Sequence, residues 1–238
     1  MKKRHLKLAA LSLGFLLAAQ TGLSAAAISS FDAAFYAAQY PDVAAVCGND
    51  EGALFRHYLN YGASEGRLPS ADGIAGDDTI ELTDEQFARL WSPVPIKKLA
   101  HYKALKRKCT DAEFEQAYQV ALSIVQPLVF MDQEDQLYEI ATALRSIVDD
   151  GSMTYSMDSS HYNDPYGYFI QHTASCSGCA RATGLCLDIL GIPYEHVNEN
   201  KYSHQWCRVA MEDGTYWICD AFGLYCGPEP APYQHPYL

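Results

Sequence analysis

Basic residues are scarce in this chain, which carries 17 Lys and Arg against 29 Asp and Glu and a formal net charge of −12. Nucleic-acid binding needs clustered Lys and Arg to contact phosphates. One basic cluster is present, and it has the spacing of a solvated helix face: Lys97, Lys98, Lys103, Lys106, Arg107 and Lys108. The composition therefore argues against a nucleic-acid partner.

Long apolar runs are also missing, except for the stretch from Leu8 to Ala19 near the N-terminus. A basic start precedes this stretch and the small residues Ser24 to Ala27 follow it, which is the pattern of a secretory signal peptide. The stretch is short for a bilayer span. We expect residues 1–27 to be removed, leaving no membrane span, 13 of the 17 basic residues and a secreted or cell-surface protein.

No acidic Asp-x-Asp-x-Asp-Gly loop of the kind that binds calcium occurs in the sequence. We expect no cofactor and no metal at the site that carries the chemistry.

Three residue types that together make an activated thiol occur in order near the C-terminal end: Cys179, His204 and Asp220. Apolar residues at helical spacing after Cys179, ended by Gly191 and Pro193, predict a helix with Cys179 in its first turn. The unpaired N–H groups of a helix N-terminus favour a thiolate and can donate to an oxyanion. Cys179 is therefore the predicted nucleophile.

The loop Glu212-Asp213-Gly214 joins two predicted strands, 204–211 and 215–222, and its length decides whether His204 and Asp220 meet. A two-residue turn would place them on opposite faces of the sheet. A three-residue loop with Gly214 in the left-handed conformation places His204 diagonal to Asp220 on one face. We predict this second register, which also sets Cys207 opposite Cys219. Strand alternation would turn Gln205 away from the cleft.

The run SGCARATGLCLDILGIPYEHV, followed by HQW and YWICDAF and preceded by TYS and PYGYFI, resembles the core of the transglutaminase-like superfamily. The resemblance covers roughly residues 100 to 226 and implies an α+β, papain-like fold with helices packed on an antiparallel sheet. It implies that Cys179 attacks, that His204 acts as base and acid, and that Asp220 orients the imidazole. The implied activity is acyl transfer on peptide or glutamine carbonyls, either protease-like or amidase-like hydrolysis or transglutamination. Gln205 and Ala221 depart from the common pattern and leave substrate choice open.

Two other interpretations are compatible with the same residues. One is a catalytically inactive transglutaminase-like binding module. The other is a structural domain with zinc held by four candidate ligands: Cys176, Cys179, His204 and Cys207. Against zinc, strand alternation sends His204 and Cys207 to opposite faces.

Eight cysteines in an exported chain indicate disulfides. The predicted register makes Cys207 and Cys219 the best structural pair. Cys176, three residues before the predicted nucleophile, is a candidate redox cap for Cys179.

The chain is predicted to divide into a small helical module at 28–69, a linker and the start of a helical region at 70–94, and a catalytic domain at 95–238. The module resembles short modules of exported bacterial proteins, and Pro41 and Gly48 are expected to interrupt its helices. It is either a packing appendage or a contact to the cell surface. The expected partner of the catalytic domain is a protein or peptide substrate. Capping boxes at Thr83 and Thr110, and a helical pattern from about 133 to 148, predict three helices.

Overall fold

The computed structural model describes residues 30–78, 80, 82–198, 204–223 and 225–231. The predicted signal peptide lies outside these residues. The chain divides into two compact units, the first ending at Trp91 and the second beginning at Ser92. Within the described ranges, no helix is long and apolar enough to cross a membrane.

The first unit is built from short helices whose breaks follow the sequence. They are α1 (Ala33–Gln39), α2 (Pro41–Cys47), α3 (Glu51–His57), a π-helical turn (Tyr58–Gly62) and α4 (Asp84–Leu90). Pro41 opens α2, where a missing N–H costs nothing, and Gly48 ends it with a φ of 61°. The interruptions predicted at Pro41 and Gly48 are thus confirmed. Aromatic rings dominate the core, with Tyr36 and Tyr58 fully buried.

The second unit places its helices before and between short strands. Its helices are α5 (Tyr102–Lys106), α6 (Asp111–Val125), α7 (Gln133–Asp149), α8 (Pro165–Phe169) and α9 (Cys176–Leu190), with 3₁₀ turns at Ile96–Lys98 and Gln126–Leu128. The capping box predicted at Thr110 is present, as is the one at Thr83 before α4.

A four-stranded antiparallel sheet follows, and two further strands pair in parallel. In chain order the strands are β1 (Thr154–Tyr155), β2 (Thr173–Ala174), β3 (Tyr194–Val197), β4 (Trp206–Ala210), β5 (Tyr216–Asp220) and β6 (Tyr225–Pro228). β1 pairs with β2, and the larger sheet has the order β3-β4-β5-β6. The expected combination of helices with an antiparallel sheet, an α+β fold, is confirmed.

The hairpin between β4 and β5 has the predicted register. Cys207 lies opposite Cys219, and the Met211 N–H donates to the Thr215 carbonyl at 2.9 Å across a three-residue loop. Gly214 in that loop has a φ of 82°, in the left-handed region that glycine adopts without strain. The loop thus brings the segment before β4, which contains His204, close to Asp220 at the end of β5.

Helix α9 lies at the centre of the second unit and is buried along nearly its whole length. It packs against α6, α7 and α8 on one side and against the sheet on the other. Gly191 ends it in the left-handed conformation with a φ of 75°. Because α9 is enclosed, only its N-terminal end can present a side chain to a cleft.

Candidate active site

His204 and Asp220 form a buried hydrogen-bonded pair at the end of the β4–β5 hairpin. His204 Nε2 lies 2.7 Å from Asp220 Oδ2, and the two side chains are 5% and 2% exposed. His204 lies two residues before the start of β4 and Asp220 ends β5, so the register brings them together as the sequence predicts.

Asp220 is held by more than the histidine. Its other carboxylate oxygen, Oδ1, accepts backbone N–H bonds from Phe222 at 3.1 Å and Gly223 at 2.8 Å. These two donors fix the carboxylate plane, and they reserve Oδ2 for the imidazole. Trp206 stacks on the ring of His204 with 5.8 Å between centroids, which restricts rotation of the imidazole.

The thiol that interacts with His204 is that of Cys176. Burial opposes the charge on the imidazole, but hydrogen bonds with Asp220 and Cys176 outweigh it and raise the pKa of His204 to about 9. Nε2 faces Asp220, so a proton relay between the imidazole and the thiol would use Nδ1. Cys176 is the first residue of α9 and is half-buried at the edge of a cleft.

Cys179 does not fit the role that the sequence analysis assigned to it. Its side chain is only 1% exposed, and the Tyr168 hydroxyl, which donates to the Leu144 carbonyl at 2.7 Å, is among its neighbours. Burial, together with nearby Asp220, raises the pKa of the Cys179 thiol well above its ordinary value. Positions three apart lie on the same side of a helix, so Cys179 occupies the turn of α9 behind Cys176 and belongs to the core.

The cleft beside Cys176 has a volume of about 310 Å³ and lies wholly within the second unit. Eleven residues line it: Arg107, Tyr155, Met157, Tyr162, Asn163, Ser175, Cys176, Ser177, Arg181, Asn198 and Gln205. The first N–H groups of a helix lack intrahelical partners. At the N-terminus of α9 they are therefore placed where an attacked carbonyl would develop negative charge.

Gln205 is a second candidate oxyanion donor that the sequence analysis placed wrongly. It lines the cleft because β4 begins only at Trp206, so strand alternation does not govern its direction. Burial lowers the pKa of His196 despite its hydrogen bond to Gln205, which favours a neutral imidazole. Gln205 Oε1 lies 2.8 Å from His196 Nε2. With that oxygen accepting from the imidazole, the amide nitrogen is the group that can donate in the cleft.

A buried Cys-His-Asp group also lies close together elsewhere in the second unit. Cys109, His161 and Asp164 bring their ligand atoms within 4.8 Å of one another and could hold a metal ion. His161 Nδ1 lies 2.9 Å from Asp164 Oδ2 and 4.0 Å from Cys109 Sγ. A triad needs the carboxylate and the nucleophile on opposite ring nitrogens. Here both face Nδ1, so this group is arranged for ligation or packing rather than for proton relay.

The four ligands of the alternative zinc site do not converge. Among the described residues, only the group around His161 brings three candidate ligands that close together. Cys207 Sγ instead donates to the Ala180 carbonyl at 3.1 Å.

The predicted disulfide between Cys207 and Cys219 is wrong. All eight cysteines are within the described ranges, and all are free thiols. The two residues are cross-strand neighbours, but their side chains diverge. Cys207 turns towards α9, whereas Cys219 turns to the Leu137 carbonyl of α7 at 3.7 Å and to Cys226 on β6.

Two glycines of α9 offer a test of how the nucleophile is positioned. A Cβ at Gly178 would lie 2.6 Å from the Tyr162 carbonyl oxygen, and the Ser175 N–H donates to that same oxygen at 2.8 Å. We expect Gly178→Ala to lower the free energy of unfolding by about 1–3 kcal/mol and to slow alkylation of Cys176, because the helix start must shift. Urea unfolding and thiol labelling measure the two effects.

Gly184→Ala is the matched control, since Gly184 lies farther along the same helix and the atoms nearest to its Cβ would be the hydroxyl and ring of Tyr194 on β3. It should affect stability without slowing alkylation. Equal labelling rates in the two variants would contradict the proposed constraint at Gly178.

Comparison with known proteins adds no family. Neither a scan against protein-family models nor a search of the curated proteins returned a match. The transglutaminase-like resemblance therefore stays a prediction that depends on the residues quoted for it.

Proposed function

We propose that this chain is an exported thiol acyl-transfer enzyme of transglutaminase-like type, with Cys176 as nucleophile, His204 as base and acid, and Asp220 as the group that orients the imidazole. One observation carries the proposal. The thiol at the start of a buried helix lines a cleft and interacts with an imidazole that a buried carboxylate holds at Nε2.

Cys176 replaces Cys179 in this proposal because it meets three requirements of a nucleophile together. It has access to the cleft, an imidazole beside it, and a position at the helix terminus. A protonated imidazole next to a thiol favours the thiolate, which is the attacking species. Cys179 shares the helix but has neither the exposure nor the hydrogen bond to the base.

The chemistry follows from these contacts. The Cys176 thiolate forms a C–S bond to the substrate carbonyl carbon, and N–H groups of the first turn of α9 stabilise the oxyanion. The protonated imidazole of His204 then gives its proton to the leaving nitrogen as the C–N bond breaks, which leaves a thioester. In the second half, neutral His204 takes a proton from water or an amine, the new bond to carbon forms, and the thiolate departs.

Water as acceptor makes the protein a peptidase or amidase, and an amine makes it a transglutaminase. We propose hydrolysis as the reaction to test first. The substrate in either case is a peptide or protein.

Alkylation of the native protein with iodoacetamide at pH 6, followed by peptide mapping, tests the proposal. An ordinary thiol is largely protonated at this pH, so it reacts slowly. We expect Cys176 to be labelled first, and about tenfold or more faster than in a His204→Ala variant. Cys179, which is enclosed, should be labelled only on unfolding.

Gln133→Ala serves as a control, because this side chain contacts the Ala210 carbonyl and the Glu212 N–H on the far part of the hairpin. It should leave the labelling rate unchanged. If His204→Ala leaves the rate of Cys176 labelling unchanged, the result would indicate an inactive binding module.

A further inference from the structure

Two guanidinium groups, those of Arg107 and Arg181, line the cleft together with Cys176. Arg181 lies on α9 and is only 9% exposed. Its Nε donates to the Ala104 carbonyl at 3.2 Å and its Nη1 to the Ser177 carbonyl at 3.1 Å. Both hydrogen-bond partners are neutral, so they orient the guanidinium without balancing its charge.

Within the part of the chain that the structure describes, neither guanidinium group is paired with a carboxylate. Among the cleft-lining residues that the structure describes, none is Asp or Glu, and the described chain gives neither arginine an ion pair. Four other arginines are paired with carboxylates: Arg67, Arg89, Arg145 and Arg208. The negative charge of Asp164 raises the pKa of Arg181 slightly, but Asp164 makes its hydrogen bonds to His161 and to the N–H of Gly167.

The arrangement is costly without a ligand. A buried charge without a counter-charge is unfavourable, and burial together with Arg107 lowers the pKa of Arg181 to about 10. The net charge of the chain, −12, shows that a positive cleft is not simply a consequence of basic composition. An anion between the two guanidinium groups would relieve both the desolvation and their mutual repulsion.

We infer that Arg107 and Arg181 form a subsite for a carboxylate of the peptide substrate, next to the Cys176 thiol. This inference rests on the proposed function and narrows its substrate class to peptides with an acidic side chain or a free C-terminal carboxylate. Guanidinium groups bind carboxylates through paired N–H donors. Asn163 Oδ1 accepts from Arg107 Nε at 3.2 Å, which orients that guanidinium at the cleft.

The test compares two reagents that differ mainly in charge, iodoacetate and iodoacetamide, by their rates of alkylation of Cys176. The imidazolium of His204 attracts iodoacetate too, so the informative quantity is how the rate ratio changes with the arginines. Arg107→Gln should lower the iodoacetate-to-iodoacetamide ratio by roughly 3- to 10-fold, the effect of removing one charge near the reagent in a partly aqueous site. Arg181→Gln should do the same, and 1 M salt should lower the ratio in the wild type.

Arg107 is exposed, so its variant should fold even if the buried Arg181→Gln does not. Arg208→Gln is the matched control, since Arg208 already pairs with Glu229 and lies outside the cleft lining. It should leave the ratio unchanged.

Two competitors distinguish the sources of the carboxylate by their protection of Cys176 from iodoacetamide. N-acetylglutamate α-amide carries only the side-chain carboxylate, and N-acetyldiglycine carries only the C-terminal one. N-acetyldiglycine amide, which is neutral, is the reference. The subsite is supported if either acid protects Cys176 more than the neutral reference does and if this protection disappears in Arg107→Gln. The acid that protects then identifies which carboxylate of the substrate binds.

A rate ratio that Arg107→Gln leaves unchanged would overturn the subsite, even when Cys176 reacts rapidly and depends on His204. Slow labelling by iodoacetamide itself, insensitive to His204→Ala, would instead overturn the proposed function. The two failures are therefore separate results of one set of measurements.

Discussion

Replacement of Cys176 by alanine is expected to lower the rate of acyl transfer by roughly 10⁶-fold, the size of effect seen when a covalent nucleophile is removed. Cys179 cannot substitute, because it is buried in the next turn of the helix. Ammonia release from glutamine peptides measures attack on a glutamine carboxamide. The appearance of new N-termini in a peptide mixture measures cleavage of peptide bonds. Trapped acyl-enzyme, detected as added mass on Cys176, should vanish in the variant.

Cys179→Ala is the decisive companion variant. It removes a buried sulfur from the core, so we expect it to lower the free energy of unfolding by about 1 kcal/mol while the rate keeps its order of magnitude. Activity that survives in Cys176→Ala and disappears in Cys179→Ala would return the nucleophile to Cys179 and contradict our assignment.

The difference between the nucleophile predicted from the sequence, Cys179, and the one proposed from the structure, Cys176, has a local cause. Ser175 and Ser177 are both residues that favour the N-cap position, and Gly178 is a poor helix former, so local preference alone also allows a start at Cys179. The structure begins α9 at Cys176 because Ser175 is held from outside, with its N–H donating to the Tyr162 carbonyl at 2.8 Å. That contact spans thirteen residues and is invisible to local propensity.

The hairpin was predictable because its signals are local. Gly214 favours a three-residue loop, and the length of this loop sets the register in which β4 pairs with β5. That register brings His204 to Asp220. Whether Cys207 and Cys219 form a disulfide, in contrast, does not depend on local signals. Directly opposite Cβ atoms are about 4.5–5.5 Å apart, more than the spacing of about 3.8 Å in a disulfide, and α7 and α9 offer each thiol a separate carbonyl.

The cleft arginines and the group around His161 also lay beyond sequence analysis. Arg107 belongs to a basic cluster with the pattern of a solvated helix face, and nothing local distinguishes it from its neighbours. Cys109 and His161 are 52 residues apart, and only the packing of the loop before α8 joins them. Long-range placement of this kind follows from the assembled core rather than from any segment.

Asp220→Asn is expected to lower the rate on the order of 10⁴-fold, the effect of forcing the wrong imidazole tautomer. Papain-like enzymes work with asparagine at the equivalent place in the triad, but here the backbone forbids it. Oδ1 accepts N–H bonds from Phe222 and Gly223, so the amide oxygen of the variant must stay there and its NH₂ must face His204. Nε2 then accepts, the proton sits on Nδ1, and neutral His204 cannot take a proton on the side of Cys176.

The same variant should change the pH dependence in a defined direction. The contacts with Asp220 and Cys176 raise the pKa of His204 from 6.5 to about 9, so the charged imidazole stabilises the fold fully below about pH 6.5 and this contribution is lost as the pH rises through about 9. Without the carboxylate the pKa of His204 falls. We expect two changes at lower pH than in the wild type: the fall in the rate at which iodoacetate alkylates Cys176, which follows the loss of the imidazolium charge, and the fall in the free energy of unfolding.

Asp213→Asn is the matched control for both measurements, because Asp213 is an exposed carboxylate that bonds Thr215 in the same hairpin. It should change neither profile nor rate. An Asp220→Asn protein in which the fall in the alkylation rate does not move to lower pH would show that the carboxylate does not act through the imidazole. The orienting role of Asp220 would then be wrong even if Cys176 remained the nucleophile.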